Sequence, residues 1–237
     1  MPIEKSGPNK PSLVKGHRIG TSKFQTAFRK RSEQEAQEPN ASLMPNRIAM
    51  MLDLSGSMSS MADKNKTKLD YLREAVEGFA NTVNYHDTSI AIESFPKSVE
   101  FSMAPTNEQL SLLLFAAKID HTLGDTPIGK TMGYVLGGIS ITRGIIVSDG
   151  QQTDGDLCFD VAKNFAEAEI PIDCVHIGND EDGEATLKRI AEMTGGLYIK
   201  FDNVANFGKN FKYLTPAFRG YLSAGDAAQL LGAKEVK

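Results

Sequence analysis

The segment Met50–Met58 most strongly constrains both the fold and the chemistry of this chain. Its sequence, Met-Met-Leu-Asp-Leu-Ser-Gly-Ser-Met, is an apolar run that ends in a carboxylate and two hydroxyls at every second position. Residues i, i+2 and i+4 of a chain leaving a strand turn to one side, so Asp53, Ser55 and Ser57 are expected to converge. Oxygen ligands of this kind suit a hard cation such as Mg²⁺. The sequence therefore predicts a metal site at the end of this strand.

Short apolar runs alternate with amphipathic segments from residue 47 to residue 214. Unbroken apolar runs are typical of strands buried on both faces of a parallel sheet, and apolar residues at helical spacing indicate helices. Strands are predicted at 47–52, 88–95, 99–103, 144–147, 172–177 and 197–201. Helices are predicted at 69–83, 107–119, 127–138, 157–168, 184–193 and 203–214. This alternation predicts a doubly wound α/β domain whose second and third strands form an antiparallel hairpin at one edge.

Residues 1–46 and 215–237 differ in composition from this central domain. The first segment is predicted to be a basic extended arm, because it is rich in Pro, Gly, Ser and Asn and its first forty residues carry eight Lys or Arg and four Glu. Phe24 and Phe28 stand four residues apart, which suits one short helix in the arm. The Ala-, Gly- and Lys-rich end of the chain is predicted to be a C-terminal tail with a short helix at 226–231.

Composition also bears on where the protein works. No apolar run approaches the roughly 18 residues needed to span a membrane, and the N-terminus has no apolar signal segment. Cys158 and Cys174 lie in apolar stretches without the spacing of a zinc site or a disulfide framework. These features predict a cytoplasmic protein with no membrane partner.

Two further segments bring oxygen ligands toward the same place. Asp149 follows the apolar strand expected at 144–147, so Asp53 and Asp149 both stand at the carboxyl ends of strands. In an open α/β sheet the binding crevice lies beyond these ends, at the point where the strand order reverses. Thr126, just before Pro127 at a helix start, is placed to offer a third hydroxyl. Two carboxylates balance a divalent ion, and three neutral hydroxyls leave the ion ready for an anionic ligand from outside.

These segments resemble the von Willebrand factor A (vWA) domain family. Its metal-ion-dependent adhesion site (MIDAS) has the pattern Asp-x-Ser-x-Ser, a distant Thr and a distant Asp. Asp53-Leu54-Ser55-Gly56-Ser57 matches the first part in full, and Gly124-Asp125-Thr126-Pro127 and Ser148-Asp149-Gly150 resemble the other two. The resemblance covers about residues 47–214. One departure is Asp125, an extra carboxylate that would weaken binding of an anionic ligand if it faced the ion.

The resemblance implies a Rossmann-like, mostly parallel six-stranded sheet with one antiparallel edge strand and helices on both faces. It implies Mg²⁺ as the ion, with Mn²⁺ as a substitute and Ca²⁺ less suitable. The metal ligands would be Asp53, Ser55, Ser57, Thr126 and Asp149. It further implies a protein–protein interaction module or adaptor, in which an acidic side chain of a partner protein completes the coordination. Members of the family work beside AAA+ ATPases, so a complex of that type is one candidate partner.

A phosphate-binding loop is the first alternative. Residues 124–131, Gly-Asp-Thr-Pro-Ile-Gly-Lys-Thr, satisfy the pattern G-x-x-x-x-G-K-[ST]. A P-loop directly follows a strand, however, whereas a helix is predicted at 107–119. Pro127 also has no N–H to give to a phosphate, and a nucleotide site leaves Asp53 without a role. We therefore favour the metal site and expect no nucleotide hydrolysis.

Nucleic-acid binding through the basic arm is the second alternative, because clustered Lys and Arg attract phosphates. Contact between the arm and the acidic remainder of the chain explains the same charge distribution equally well. No pairing of a nucleophile with a base is visible in the sequence. We therefore expect a binding protein rather than an enzyme.

Overall fold

The described residues form a β-sheet with helices on both faces. The structure is a computed structural model that describes residues 45–150, 152–201, 203–213 and 235–236. The basic arm before residue 45, the helix predicted around Phe24 and Phe28, and the helix predicted at 226–231 lie outside these residues. The boundaries predicted for the arm, the central domain and the tail stay predictions.

Within the described ranges, seven strands make one sheet in the order β3-β2-β1-β4-β5-β6-β7. The strands are β1 Asn46–Asp53, β2 Thr88–Phe95, β3 Met103–Thr106, β4 Arg143–Ser148, β5 Ile172–Ile177, β6 Tyr198–Phe201 and β7 Glu235–Val236. All neighbours pair in parallel except β3 with β2 and β7 with β6. The predicted doubly wound sheet of six mostly parallel strands with one antiparallel edge strand is confirmed. The two-residue strand β7 is an addition that the sequence did not predict.

Six helices and two short 3₁₀ turns connect these strands within the described part of the chain. The helices are α1 Lys68–Ala80, α2 Gln109–Lys118, α3 Ile128–Gly138, α4 Leu157–Glu167, α5 Glu181–Thr194 and α6 Val204–Asn210. The 3₁₀ turns are Gly56–Ser59 and Phe211–Tyr213. Among the described residues, no helix has both the length and the apolar character required to cross a membrane.

Strand β1 separates two apolar cores. Its residues Ile48, Met50 and Leu52 pack into the core that α1, α2 and α6 cover, and Ala49 and Met51 pack into the core that α3, α4 and α5 cover. Since successive side chains of a strand point to opposite faces, a strand with a core on each side must be apolar throughout. This requirement explains the unbroken apolar run that precedes Asp53.

The place predicted from the sequence for a binding crevice is the carboxyl end of the neighbouring strands β1 and β4. These strands are parallel neighbours, with Leu52 opposite Val147; Asp53 is the last residue of β1, and Asp149 directly follows β4. Helix α1 follows β1 on one face of the sheet, and α4 follows β4 on the other. The two loops therefore part above the sheet, which is the arrangement that creates a binding crevice at the switch in strand order.

The predicted position of the third strand was wrong. The strand was expected at 99–103, but β3 begins only at Met103, and Val99 is 92% exposed. Hydroxyl groups hold a turn in the intervening segment: Ser94 Oγ accepts from Ser98 N at 3.2 Å, and Ser102 Oγ donates to Ser98 O at 2.7 Å. Side-chain bonds of this kind compete with strand pairing for the backbone. The apolar alternation in this segment therefore did not mark a strand.

Candidate metal centre

Asp53 is a buried carboxylate with no cationic partner among the described residues. Its exposed fraction is 0%. Oδ1 accepts a hydrogen bond from Ser55 N at 2.8 Å, and Oδ2 accepts one from Ser148 Oγ at 2.6 Å. These neutral donors fix the orientation of the carboxylate and leave its charge uncompensated. A buried charge of this kind is costly unless a cation or a proton neutralises it.

The protonation behaviour of Asp53 reflects this environment. Burial raises the pKa of Asp53 from 3.8 to about 6, and the nearby negative charge of Asp149 acts in the same direction. Hydrogen bonds from Ser148 and Ser55 oppose the increase because they favour the ionised form. Without a cation the carboxylate therefore takes up a proton far more readily than an exposed aspartate does.

Hydrogen bonds link oxygen atoms of three candidate ligands, with Ser57 in the middle. Ser55 Oγ and Ser57 Oγ are 2.9 Å apart, and Ser57 Oγ donates to Asp149 Oδ1 at 2.7 Å. Neighbouring ligands of an octahedral Mg²⁺ with metal–oxygen distances of 2.0–2.1 Å are about 2.9 Å apart. Ser55 and Asp149 are buried, whereas Ser57 is exposed. Hydrogen-bonded hydroxyl oxygens have the same spacing, so the distances are compatible with a single small cation, which an outside ligand would reach past Ser57.

Thr126 reaches this edge of the sheet through its backbone. Gly56 N donates to Gly124 O at 2.8 Å, which pairs the loop containing Thr126 with the loop containing Ser55 and Ser57. Thr126 O accepts from Thr153 N at 3.0 Å, and the residue is 6% exposed. Its hydroxyl has no hydrogen-bond partner among the described residues. The backbone contacts thus place Thr126 near the other four candidate ligands, but its side chain makes no hydrogen bond to them among the described residues. The adjacent Asp125 is exposed.

Lys68 contacts the site, where the sequence analysis did not place it. Its Nζ donates to Asp149 Oδ2, while Oδ1 of the same carboxylate accepts from Ser57. Lys68 is the first residue of α1, where the positive end of the helix dipole disfavours a cation. That unfavourable position is the one signal in the sequence that marks this lysine. Ser148 was also missed, although it stands directly before Asp149 at the strand end.

The loop after Asp149 is supported from behind by α5. This helix begins at Glu181, three residues before the predicted start, because Asp180 caps it by accepting from Gly183 N. A Cβ atom on Gly183 would lie 2.8 Å from the carbonyl group of Gly150. Only glycine permits this close approach, which holds the backbone of the Asp149 loop against the helix.

The structure offers no support for a P-loop. Helix α2, not a strand, precedes residues 124–131. Helix packing explains Gly129 of the pattern, because a Cβ atom added there would lie 2.5 Å from Cys158 N at the start of α4. Lys130 is exposed, and its backbone N donates to Asp154 Oδ2 at 2.8 Å. Gly129 therefore allows α3 to pack closely against the start of α4, and Lys130 lies on the protein surface.

The donor set fits a hard divalent cation. No group of three His, Cys, Asp or Glu side chains in the described part of the chain is arranged to hold a metal, so a zinc or other soft-metal site of that kind is not found there. The candidate centre instead combines two carboxylates with neutral hydroxyls. All its donors are oxygens, which suit Mg²⁺ and Mn²⁺. The uncompensated charge of Asp53 supplies the electrostatic reason for a cation.

Known structures share this architecture. No family model matches the sequence, and a search of curated proteins finds no match. The structure is similar to an aerotolerance-related membrane protein from Bacteroides fragilis, with a TM-score of 0.56, 16% identity, and coverage of 78% of this chain and 99% of that one. It is also similar to the SpRpn10 VWA domain, with a TM-score of 0.51, 11% identity, and coverage of 68% and 93%. The chain has a vWA-like fold.

A third similar structure is proximal thread matrix protein 1 from the mussel byssus, with a TM-score of 0.57 and 13% identity. The match covers 71% of this chain and 44% of that chain. At these identities the similarity establishes the fold and not the chemistry. The vWA fold expected from the sequence is therefore confirmed, whereas the MIDAS ligands and the choice of Mg²⁺ stay predictions.

The pKa of Asp53 predicts how metal affinity varies with pH. Metal binding requires the ionised carboxylate, and a pKa of about 6 leaves most molecules ionised at pH 7 and few at pH 5. We expect the affinity for Mg²⁺ to fall by about tenfold between pH 7 and pH 5 and to level off above pH 7. Isothermal titration calorimetry at fixed ionic strength measures this, with circular dichroism to verify that the protein stays folded. An affinity that does not change across this range would contradict the assignment of Asp53.

Proposed function

We propose that this chain is a metal-dependent protein-interaction module with a MIDAS-type centre. The side chains proposed to hold Mg²⁺ are Asp53, Ser55, Ser57, Thr126 and Asp149. The observation that carries the proposal is the buried, uncompensated carboxylate of Asp53 beside hydroxyl and carboxylate oxygens at ligand spacing. A bound ion supplies positive charge and a coordination position for an outside oxygen.

The ligand proposed to complete the coordination is a Glu or Asp side chain of a partner protein. Two carboxylates balance the charge of a divalent ion, so the neutral hydroxyls leave it attractive to one further anion. Because Ser57 is exposed and Asp53, Ser55 and Asp149 are buried, the partner's carboxylate approaches from the Ser57 side. We propose an adaptor that works in the cytoplasm, with AAA+ ATPase-type complexes as the first partners to screen.

Binding without catalysis is part of the proposal. The hydroxyls of Ser55 and Ser57 contact each other and a carboxylate, and no histidine in the described part of the chain hydrogen-bonds to either of them. A serine nucleophile needs an adjacent base to activate it. The geometry therefore suits ligands of a metal better than members of a catalytic triad.

Removing one hydroxyl tests the metal centre directly. Ser57→Ala should lower the affinity for Mg²⁺ by roughly tenfold to a hundredfold without unfolding the protein, because one neutral ligand is lost at an exposed position. Ser59→Ala is a matched control, since Ser59 lies in the same turn and its Oγ donates to Gly56 O at 2.7 Å. Calorimetry should show an unchanged affinity for the control. Equal affinities in the two variants would remove Ser57 from the metal site.

Partner capture tests the interaction that follows from the metal site. The full chain should retain its partner in Mg²⁺, release it in EDTA and bind it again when Mg²⁺ or Mn²⁺ is added. Asp149→Ala and Thr126→Ala should both fail to bind, because they disturb the coordination from different loops. Deletion of residues 1–40 should have little effect. Arm-dependent binding to RNA or DNA that survives EDTA would instead favour the nucleic-acid alternative.

A further inference from the structure

Lys68 forms an ion pair with Asp149, which is one of the proposed metal ligands. The side chains are 22% and 1% exposed, so the contact is largely shielded from solvent. Lys68 Nζ donates to Asp149 Oδ2, and Ser57 Oγ donates to Oδ1 at 2.7 Å. Both oxygens of this carboxylate are therefore engaged by groups of the protein itself. A cation that binds Asp149 has to share the carboxylate with the ammonium group or displace it.

The backbone of Lys68 is anchored to the turn that carries Ser57. Lys68 N donates to Ser60 O at 3.0 Å, and Ser60 N donates to Ser57 O at 3.1 Å. On its other side, Thr67 caps α1 through reciprocal bonds with Asp70. These contacts fix the first residue of the helix beside the crevice. Only the flexible four-carbon side chain remains free to move between Asp149 and solvent.

The position of this lysine is not explained by helix stability. A cation in the first turn of a helix opposes the dipole, and the capping bonds of Thr67 and Asp70 do not involve its side chain. Lys66, two residues earlier, pairs with Glu74 outside the site. The contact of Lys68 with Asp149 is thus the interaction that gives its ammonium group a partner.

We propose that Lys68 is a tethered cation that competes with the divalent metal for Asp149 and keeps the metal-free centre neutralised at this carboxylate. The inference rests on the metal-binding function proposed above. Mg²⁺ binding breaks the ion pair, and the ammonium group moves toward solvent because it is repelled by the ion. The competition lowers the affinity of the centre for Mg²⁺ and protects Asp149 from being left unpaired when the metal is absent.

Substitution of Lys68 should therefore increase metal affinity. A variant with a damaged fold would bind the metal more weakly, so an increase cannot be caused by misfolding. In calorimetric titrations of the full chain with MgCl₂, Lys68→Met should bind about tenfold more tightly than wild type, equivalent to about 1.4 kcal/mol. Lys68→Gln keeps a hydrogen-bond donor but carries no charge, and it should show the same increase in affinity. It replaces Lys68→Met in the test if that variant does not fold. Lys68→Arg should keep the wild-type affinity or bind more weakly. Lys66→Met is the matched control and should be unchanged.

Thermal unfolding provides an independent measurement. Without metal, Lys68→Met should melt below wild type, because Asp149 loses its partner, and saturating Mg²⁺ should raise its melting temperature more than it raises that of wild type. If wild type and both uncharged variants bind Mg²⁺ equally well, the competition is overturned and the proposed metal site stands. If none of them binds Mg²⁺, the proposed function fails and this inference fails with it.

Discussion

Asp53→Asn should abolish Mg²⁺ binding and at the same time stabilise the metal-free protein. The substitution removes the buried negative charge at the floor of the crevice and keeps the shape of the side chain. The pKa increase from 3.8 to about 6 corresponds to about 3 kcal/mol of unfavourable interaction in the ionised form at pH 7. An amide satisfies the donors of Ser55 and Ser148 less well than a carboxylate. We therefore expect a gain of about 1–3 kcal/mol in the free energy of unfolding.

The sign of the pH dependence provides a stricter test of this prediction. Since the folded state holds the proton of Asp53 more tightly than the unfolded state, this group makes the metal-free protein lose stability as pH rises from 3.8 to about 6. Asp53→Asn removes that contribution. The difference in unfolding free energy between variant and wild type should therefore grow across this window and level off above it.

Urea unfolding in EDTA at several pH values measures both the gain in the free energy of unfolding and its dependence on pH. Asp160→Asn is a suitable control, because Asp160 is exposed on α4, pairs with Lys163 and should change stability by less than about 0.5 kcal/mol. A variant that is less stable than wild type at pH 7 would mean that Asp53 is stabilised in its ionised form by its neighbours.

Gly196→Ala should be among the most destabilising single substitutions in the domain. A Cβ atom at this position would lie 2.0 Å from Ile172 O and 2.3 Å from Ile172 C, both of which are backbone atoms at the start of β5. A flexible side chain could not relieve this overlap, so the turn between α5 and β6 must move. We expect a loss of about 3 kcal/mol or more in the free energy of unfolding.

The preceding residue provides the matched control. Gly195 has a φ of +71° at the end of α5, but its Cβ would have no neighbour within 4 Å. Gly195→Ala should therefore cost only the strain of the left-handed conformation, about 1 kcal/mol. Denaturant unfolding should show a much larger loss for Gly196→Ala than for Gly195→Ala. Equal losses would show that backbone conformation, not close packing, determines the cost in this turn.

The parts of the fold that follow from local pattern could be predicted from the sequence. Strand β5 lies at Ile172–Ile177 as expected, because an apolar run between helix-like segments specifies a buried strand without reference to distant residues. Asp53 and Asp149 were placed correctly at strand ends for the same reason. The adjacency of β1 and β4 then follows from the order of strands in doubly wound sheets.

Contacts between distant residues were not predictable in this way. Lys68 and Asp149 are 81 residues apart, and helical periodicity tells which face of α1 a residue occupies, not which carboxylate its side chain reaches. The start of β3 was misplaced because hydroxyl groups hold the turn before it, as the bond from Ser102 Oγ to Ser98 O shows. Periodicity carries no information about such side-chain to backbone bonds.

In the part of the chain that the structure describes, both outer strands of the sheet are short and run antiparallel to their neighbours. Strand β3 has four residues, and β7, which pairs with Ile199 and Lys200 of β6, has two. Proteins that recognise a partner by strand addition present a long unpaired edge, where main-chain N–H and C=O groups supply the affinity. Short edge strands provide little backbone for such pairing and also oppose edge-to-edge aggregation. If the proposed function is correct, we therefore expect a partner to be selected by the reach and charge of individual side chains more than by its main-chain conformation.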